Sequence, residues 1–441
     1  MNNSTVSWTT QKVIQLEKNH QLPGFQSIAD LAGIVVDRAL NAEIWDIEGK
    51  RYIDFFTGVG VCSIGHSNPK YVQRVSDQLG KCIVGAFYTE TRAKYFSLLS
   101  QQLPNSLNKI QMYSTGSEAN EAAIKLVKAA TGKHEIVSFW GGFHGKTQAT
   151  LSLHGGDRKH GWGPMFPGFS QTPYAYCYRC PFDLKYPGCE FHCVDFAEQF
   201  TENNTTGDIA AIIVEPIQGT NGNIIPPNGY IRKLRELADK YQALLILDEV
   251  ITGFGRTGKM FAFEHEPGVI PDVLVLGKSM ASGVPTSAVV SRSELVQDTI
   301  FGQPSAAAST FGGNPLSSAA SLATLEIIIE DKLVEQSRML GQFVESRICS
   351  WMERFPIVGN AKNLGLMIGI ELVETSSKQP LRKNITRAIF QELMARGVLA
   401  MAYGSKIRLY PPLSISKSLL EEGFMIIEDV FDNVNRTMVS G

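Results

Sequence analysis

No run of apolar residues in this chain approaches the ~18 needed to span a bilayer, which argues against a transmembrane segment. The opening residues are polar and mixed, without the apolar stretch of a secretory leader. There is no long Lys/Arg run, and 41 basic residues against 43 acidic ones leave a net charge of −2. Such a balance argues against nucleic acid or an anionic membrane as the main partner. No internal repeat and no low-complexity tract is present. Cysteine is sparse and odd in number, seven in 441 residues, which does not suit a disulfide framework. A cytoplasmic enzyme is the default expectation.

What is present is an ordinary globular balance, 44% hydrophobic and 19% charged, long enough for a large core and more than one domain. Short apolar stretches at 34–39, 43–46 and 51–54 read as a meander, with Glu48-Gly49 as a hairpin turn. From about residue 91 to 325 helical and strand-like segments alternate. Strands are expected at 109–114, 135–139, 209–214, 244–247 and 273–276, with helices at 93–103, 118–130 and 231–241. That alternation predicts an α/β fold with a mostly parallel sheet covered on both faces, whose ligands bind at strand carboxyl ends. Beyond residue 316 long helices at 319–329 and 333–355 and strands near 366–372 and 407–409 read as a small α+β domain. The expected division is a small-domain segment at 1–60, a large domain at 61–325, and the rest of the small domain at 326–441.

Five segments at expected strand ends carry chemistry. Lys278 follows Asp272-Val-Leu-Val-Leu-Gly277, and Asp248 ends Leu244-Leu-Ile-Leu. A lysine and an acid at neighbouring strand ends suit pyridoxal phosphate: the amine forms a Schiff base, and the acid holds the pyridine nitrogen protonated. Ser114-Thr115-Gly116-Ser117-Glu118 follows a strand and opens a helix, offering free amides, a favourable dipole and the Ser117 hydroxyl to a phosphate. Ser117 also reads as a plain helix N-cap, and one serine can fill both roles. Phe143 in Trp140-Gly-Gly-Phe143-His144-Gly145-Lys146 could stack on a flat ring. Glu215 ends the strand before Pro216-Ile-Gln-Gly219 and is a candidate to order the site.

Taken in order, these segments resemble the class III aminotransferases of pyridoxal phosphate fold type I, the ω-amino acid:pyruvate, 4-aminobutyrate and ornithine type. The likeness runs from Trp45-Asp46 to Arg408-Leu-Tyr-Pro411-Pro412 and is most specific in Asp248-Glu-Val250-Ile-Thr-Gly-Phe-Gly255-Arg256-Thr-Gly258, Lys278 and Ser309-Thr310-Phe-Gly-Gly-Asn314. The resemblance implies a seven-stranded large-domain sheet and a ping-pong transfer from an amine or ω-amino compound to an α-keto acid such as pyruvate or 2-oxoglutarate. It implies Lys278 as Schiff-base and proton-shuttle lysine, Asp248 on the ring nitrogen, Val250 and Phe143 on the two ring faces, and Glu215 near both. His144 is counted with the cofactor-binding residues, and Gly116 and Ser117 hold the phosphate. Thr310 reaches the phosphate of a neighbouring subunit, making the enzyme a homodimer or a dimer of dimers. Arg408 binds a substrate carboxylate.

Two departures bear on substrate. Members using 4-aminobutyrate or ornithine carry a carboxylate-gripping arginine where this chain has Lys146, which lacks the bidentate fork. They also carry a glutamate that masks the Arg408 equivalent, where this chain has Thr220. Arg408 is therefore expected to stay free for an α-carboxylate, which demotes those two donors. The loop 57–62 and Tyr88 are expected to line the pocket. The scaffold also admits an aminomutase, a dialkylglycine-type decarboxylase or an epimerase. A regulator that binds the cofactor without catalysis would need a basic helix-turn-helix, and no room exists for one before residue 34.

The remaining motif is Cys177-x2-Cys180-x8-Cys189-x3-Cys193 in a Tyr/Pro-rich insertion. Paired spacings of this kind could close a structural tetrahedral zinc site, against the plainer reading of four reduced thiols packed in a loop.

Overall fold

A computed structural model describes residues 8–375, 377–402 and 404–439. Near the N-terminus β1 (Val36–Leu40), β2 (Glu43–Asp46) and β3 (Arg51–Asp54) form the expected meander. The amide of Gly49, at φ 85°, closes the β2–β3 turn on the Asp46 carbonyl at 2.9 Å.

Seven strands build the central sheet: β4 (Lys109–Tyr113), β5 (Glu135–Phe139), β6 (Phe169–Thr172), β7 (Ile209–Val214), β8 (Leu244–Asp248), β9 (Val273–Leu276) and β10 (Ser287–Ser291). Their order is β4-β10-β9-β8-β7-β5-β6. Only β10 runs against its neighbours. Five of these strands coincide with the stretches expected at 109–114, 135–139, 209–214, 244–247 and 273–276; β6 and β10 do not. β6 is short and polar, Phe-Ser-Gln-Thr, and β10 carries serine at both ends, so neither shows a continuous apolar run. The inner strands do show it: every residue of β5, β7 and β9 is buried, as a sheet covered on both faces requires.

C-terminal to the sheet, β11 (Val358–Leu364), β12 (Met367–Leu372) and β14 (Lys406–Leu409) form a second antiparallel sheet. The short β13 (Val398–Leu399) pairs in parallel with β3, so residues near both ends of the chain share one sheet. The helices Leu333–Arg354 and Lys417–Val439 lie in this C-terminal part. They meet around Trp351, fully buried, whose indole Nε1 donates to Glu428 Oε1 at 2.7 Å.

Candidate active site

The carboxyl ends of the central strands gather the polar residues. β4 runs into Ser114-Thr115 and the helix Gly116–Thr131. The helix cap is Thr115, not Ser117: the Thr115 hydroxyl accepts the Glu118 amide at 3.2 Å, and Glu118 Oε2 accepts the Thr115 amide at 2.9 Å. This reciprocal capping box satisfies the turn locally. It leaves the Ser117 hydroxyl uncommitted apart from a 3.4 Å contact from the Lys146 amide. The amides of Gly116 and Ser117, first in the helix, have no intrahelical acceptor and suit an anion.

Asp248, 3% exposed at the end of β8, is held at both oxygens. Oδ2 accepts His144 Nδ1 and Asn120 Nδ2, each at 2.8 Å, and Oδ1 accepts the Val250 amide at 3.0 Å. Asn120 also donates to the His144 carbonyl at 2.9 Å. It was not singled out from sequence, where it is one polar residue in a helical run; its burial on the sheet-facing side is a tertiary fact. His144, named with the cofactor-binding residues, orients the acid. Burial opposes its charge, yet the bond to Asp248 and the charges of Asp248 and Glu215 outweigh it, and its pKa is raised.

Lys278 lies two residues past β9 in the left-handed region at φ 45°, strain of a kind that clusters at functional sites. Burial depresses its ammonium pKa; Asp248 and Glu215 oppose that, and Arg408 adds to it. Val250 fits between two glycines. A Cβ on Gly116 would lie 3.2 Å from Val250 Cγ1, and so would one on Gly277, so the Gly116 helix start and the lysine strand close around this one side chain.

Glu215, 5% exposed, joins two loops: Oε1 accepts the Phe143 amide at 2.8 Å and Oε2 the Gly219 amide at 3.1 Å. Burial, above all, raises its pKa, with His144 pulling the other way. The Phe143 ring is backed by His154, centroids 5.1 Å apart, and His154 Nε2 accepts the His144 amide at 3.1 Å. Arg408, on β14 and 8% exposed, donates from Nη1 to the Gly219 carbonyl at 3.3 Å. Among the described residues it has no carboxylate partner. The loop 57–62 borders this end: Thr57, Gly58, Val59 and Gly60 all have positive φ, and the Thr57 hydroxyl donates to the Tyr410 carbonyl at 2.7 Å.

Three expected residues stand apart. Lys146 is exposed, with no side-chain partner among the described residues. Tyr88 and Thr310 are exposed and line one open cleft with Arg92, Met112 and Gly313; neither is hydrogen-bonded to Lys278, Asp248 or Arg408. Cys177, Cys180, Cys189 and Cys193 all lie in the insertion between β6 and β7. All four thiols are free, and among the described residues no three His, Cys, Asp or Glu come together to hold a metal. The insertion is fastened by aromatic packing, Phe182 on His192 and Phe196 at 4.8 and 5.1 Å, and by Tyr176 and Arg179 on buried Glu371.

The residues present fit pyridoxal phosphate. A capped helix start with free amides faces an anion, a doubly anchored carboxylate suits a pyridinium, a valine and a phenylalanine can flank a ring, and a depressed lysine suits a carbonyl carbon.

The chain matches the family "Aminotransferase class-III" over residues 26–431. It is 36% identical over 421 residues to a 2-aminoadipate transaminase of Pseudomonas putida, covering 93% of this chain and 98% of that protein. It is 33% identical over 414 residues to a leucine/methionine racemase of Thermococcus litoralis, covering 92% and 93%. Among solved structures, an (S)-enantioselective omega-transaminase from Thermomicrobium roseum matches with a TM-score of 0.89 at 29% identity, covering 97% of this chain and 99% of that one. The chain belongs to the class III aminotransferases, pyridoxal phosphate enzymes of fold type I.

Proposed function

We propose that this aminotransferase takes its amino group from an amine or ω-amino compound and passes it to an α-keto acid such as pyruvate or 2-oxoglutarate. The observation that carries this reading is Arg408: buried, without an acid partner among the described residues, and resting on a backbone carbonyl. A guanidinium so placed is available to a carboxylate, and Thr220 supplies no charge to compete for it.

Pyridoxal phosphate, when bound, supplies the electron sink through which the amino group passes from donor to acceptor. Lys278 Nζ holds the site for the carbonyl carbon and then moves a proton to and from the substrate α-carbon. Its depressed pKa favours the neutral amine that both tasks need. Asp248 keeps a negative charge where the ring nitrogen lies, and His144 and Asn120 fix its direction. Gly116 and Ser117 hold the phosphate, Val250 and Phe143 enclose the ring, and Glu215 orders the two loops beside it.

We also propose that the enzyme works in the cytoplasm as a homodimer, with Thr310 and Tyr88 of one protomer completing the site of its partner. Support comes from the exposed apolar side chains around them, Phe87 at 83% and Phe311 at 61% exposed. The free thiols suit a reducing compartment. On this reading residues 1–60 and 326–441 form the small domain and 61–325 the large one, in keeping with the β3–β13 pairing.

The test is a screen of donors and acceptors on purified holoenzyme, read as keto-acid consumption. A second reading, racemisation of an amino acid, is favoured by the T. litoralis relative's name and by an isoleucine 2-epimerase of Lentilactobacillus buchneri, 33% identical over 420 residues. Inversion of a single enantiomer without any keto-acid requirement would establish it and overturn the proposal.

A further inference from the structure

The hairpin from Gln218 to Ile224 joins two parts of the site that lie far apart in sequence. Gln218 and Ile224 pair across it, amide to carbonyl, at 3.2 and 3.1 Å. It is fastened by alternate residues of β14 and of the position just after it, which share one face of an extended chain. Lys406 Nζ donates to Asn221 Oδ1 at 3.2 Å, Arg408 Nη1 to the Gly219 carbonyl at 3.3 Å, and the Tyr410 hydroxyl to Asn223 Oδ1 at 2.5 Å.

The other side of the hairpin reaches the Phe143 loop. Asn221 Nδ2 donates to Gln218 Oε1 at 2.9 Å, and Gln218 Nε2 donates to the Trp140 carbonyl at 2.8 Å. There is no slack in this chain of contacts. A Cβ on Gly141 would fall 2.2 Å from Asn221 Nδ2, and one on Gly222 would fall 2.6 Å from Lys406 Cδ. Both glycines have positive φ, 79° and 125°. Asn221 therefore uses both ends of its amide: the oxygen toward the arginine strand, the nitrogen toward the aromatic loop.

We infer that Asn221 is a positioning and specificity-determining residue for the keto-acid half-reaction, setting the Gly219 carbonyl on which Arg408 rests. This deepens the proposed function and rests on Arg408 reading the acceptor's carboxylate. With Asn221 removed, Lys406 loses its acceptor and Gln218 its donor, and the hairpin tip is free to shift. Arg408 then loses a fixed resting place, while an amine without a carboxylate has no use for that place.

The experiment measures both half-reactions separately in Asn221→Ala, Lys406→Met and the double variant, by absorbance of the bound cofactor. The probes are pyruvate and 2-oxoglutarate on one side and benzylamine on the other. Expected is a rise of about tenfold in KM for the keto acid, the scale of one lost charge-assisted bond, with kcat and the benzylamine step little changed. The double variant should be no worse than Asn221→Ala, because the bond that Lys406→Met removes is one of the two that Asn221→Ala removes. Lys406→Met reads that bond from the strand should Asn221→Ala not fold. Equal damage to both half-reactions, an unchanged keto-acid KM, or additive effects would overturn the inference. Arg408→Ala run alongside separates the two levels. If it raises the keto-acid KM and the Asn221 variants do not, only the role of Asn221 falls. If it does not, the reading of Arg408 falls first and this inference with it.

Discussion

Asp248 Oδ2 and His144 Nδ1 lie 2.8 Å apart, and both side chains are almost wholly buried. A buried acid paired with a histidine whose pKa is raised keeps its negative charge without solvent to help. The second donor to the same oxygen, Asn120, fixes the direction of that charge.

Asp248→Asn should preserve the shape and lose the charge. The cofactor should still bind, and turnover should fall by ~10²-fold or more, the scale of several kcal/mol of electrostatic stabilisation. Steady-state rates on reconstituted enzyme check this. An Asn variant as fast as wild type would remove Asp248 from the ring nitrogen.

Lys278→Ala should abolish turnover while the fold survives, since the glycines around Val250 and the capped helix start at Gly116 do not depend on the lysine. Far-UV circular dichroism and a cofactor titration should show a folded protein that still takes up pyridoxal phosphate. Residual activity at the wild-type level would mean that another amine does the chemistry.

The strand ends and the turn into the Gly116–Thr131 helix were legible in sequence because their signals are local. An apolar run stops at an acid or a lysine, and a glycine precedes a helix. β5, β7 and β9 have the bounds that their apolar runs announce. What escaped depends on packing between distant segments. Asn120 is set apart from other helix polar residues only by facing Asp248, and His154 only by backing Phe143. Ser117 and Thr115 both offer a capping hydroxyl, and the Thr115-x-x-Glu118 spacing of a capping box selects Thr115, a local signal that was open to reading. The four cysteines show a regular spacing, while the packing that fastens their segment, Phe182 on His192, carries no signature in sequence.

His66 gives a pH dependence away from the chemistry. Its Nε2 lies 2.8 Å from Asp54 Oδ2. Burial opposes its charge, but the bonds to Asp54 and Cys62 and their charges outweigh it, and its pKa is raised to about 10. A histidine with a raised folded pKa adds stability that is full below its ordinary value and is lost as pH rises through the folded value. Thermal melts should therefore weaken between about pH 6.5 and 10, and His66→Gln should flatten that slope. Parallel slopes in the two proteins would show that His66 does not titrate there.

Thr310→Ala tests the shared site. If the threonine of one protomer reaches the phosphate bound by its partner, the variant should release pyridoxal phosphate more readily. Added cofactor should raise its Tm more than that of wild type, by mass action on a weaker site. A wild-type enzyme that is fully active as a monomer at assay concentration, by sedimentation under turnover, would rule the arrangement out.

Arg408→Ala bears on the acceptor. The guanidinium is buried, donates to the Gly219 carbonyl, and has no acid partner among the described residues. Lys146 is exposed, so it offers no comparable enclosed cation. Removing Arg408 should raise KM for an α-keto acid far more than for an amine lacking a carboxylate. Loss of a charge-assisted contact costs roughly 1.5–3 kcal/mol, or about ten- to a hundredfold. The two half-reactions, each with its own KM, make the comparison internal, because damage to the fold or to cofactor binding would appear in both. Selective loss on the keto-acid side assigns the carboxylate to Arg408; equal impairment of both would reduce it to a support for the Gly219 hairpin.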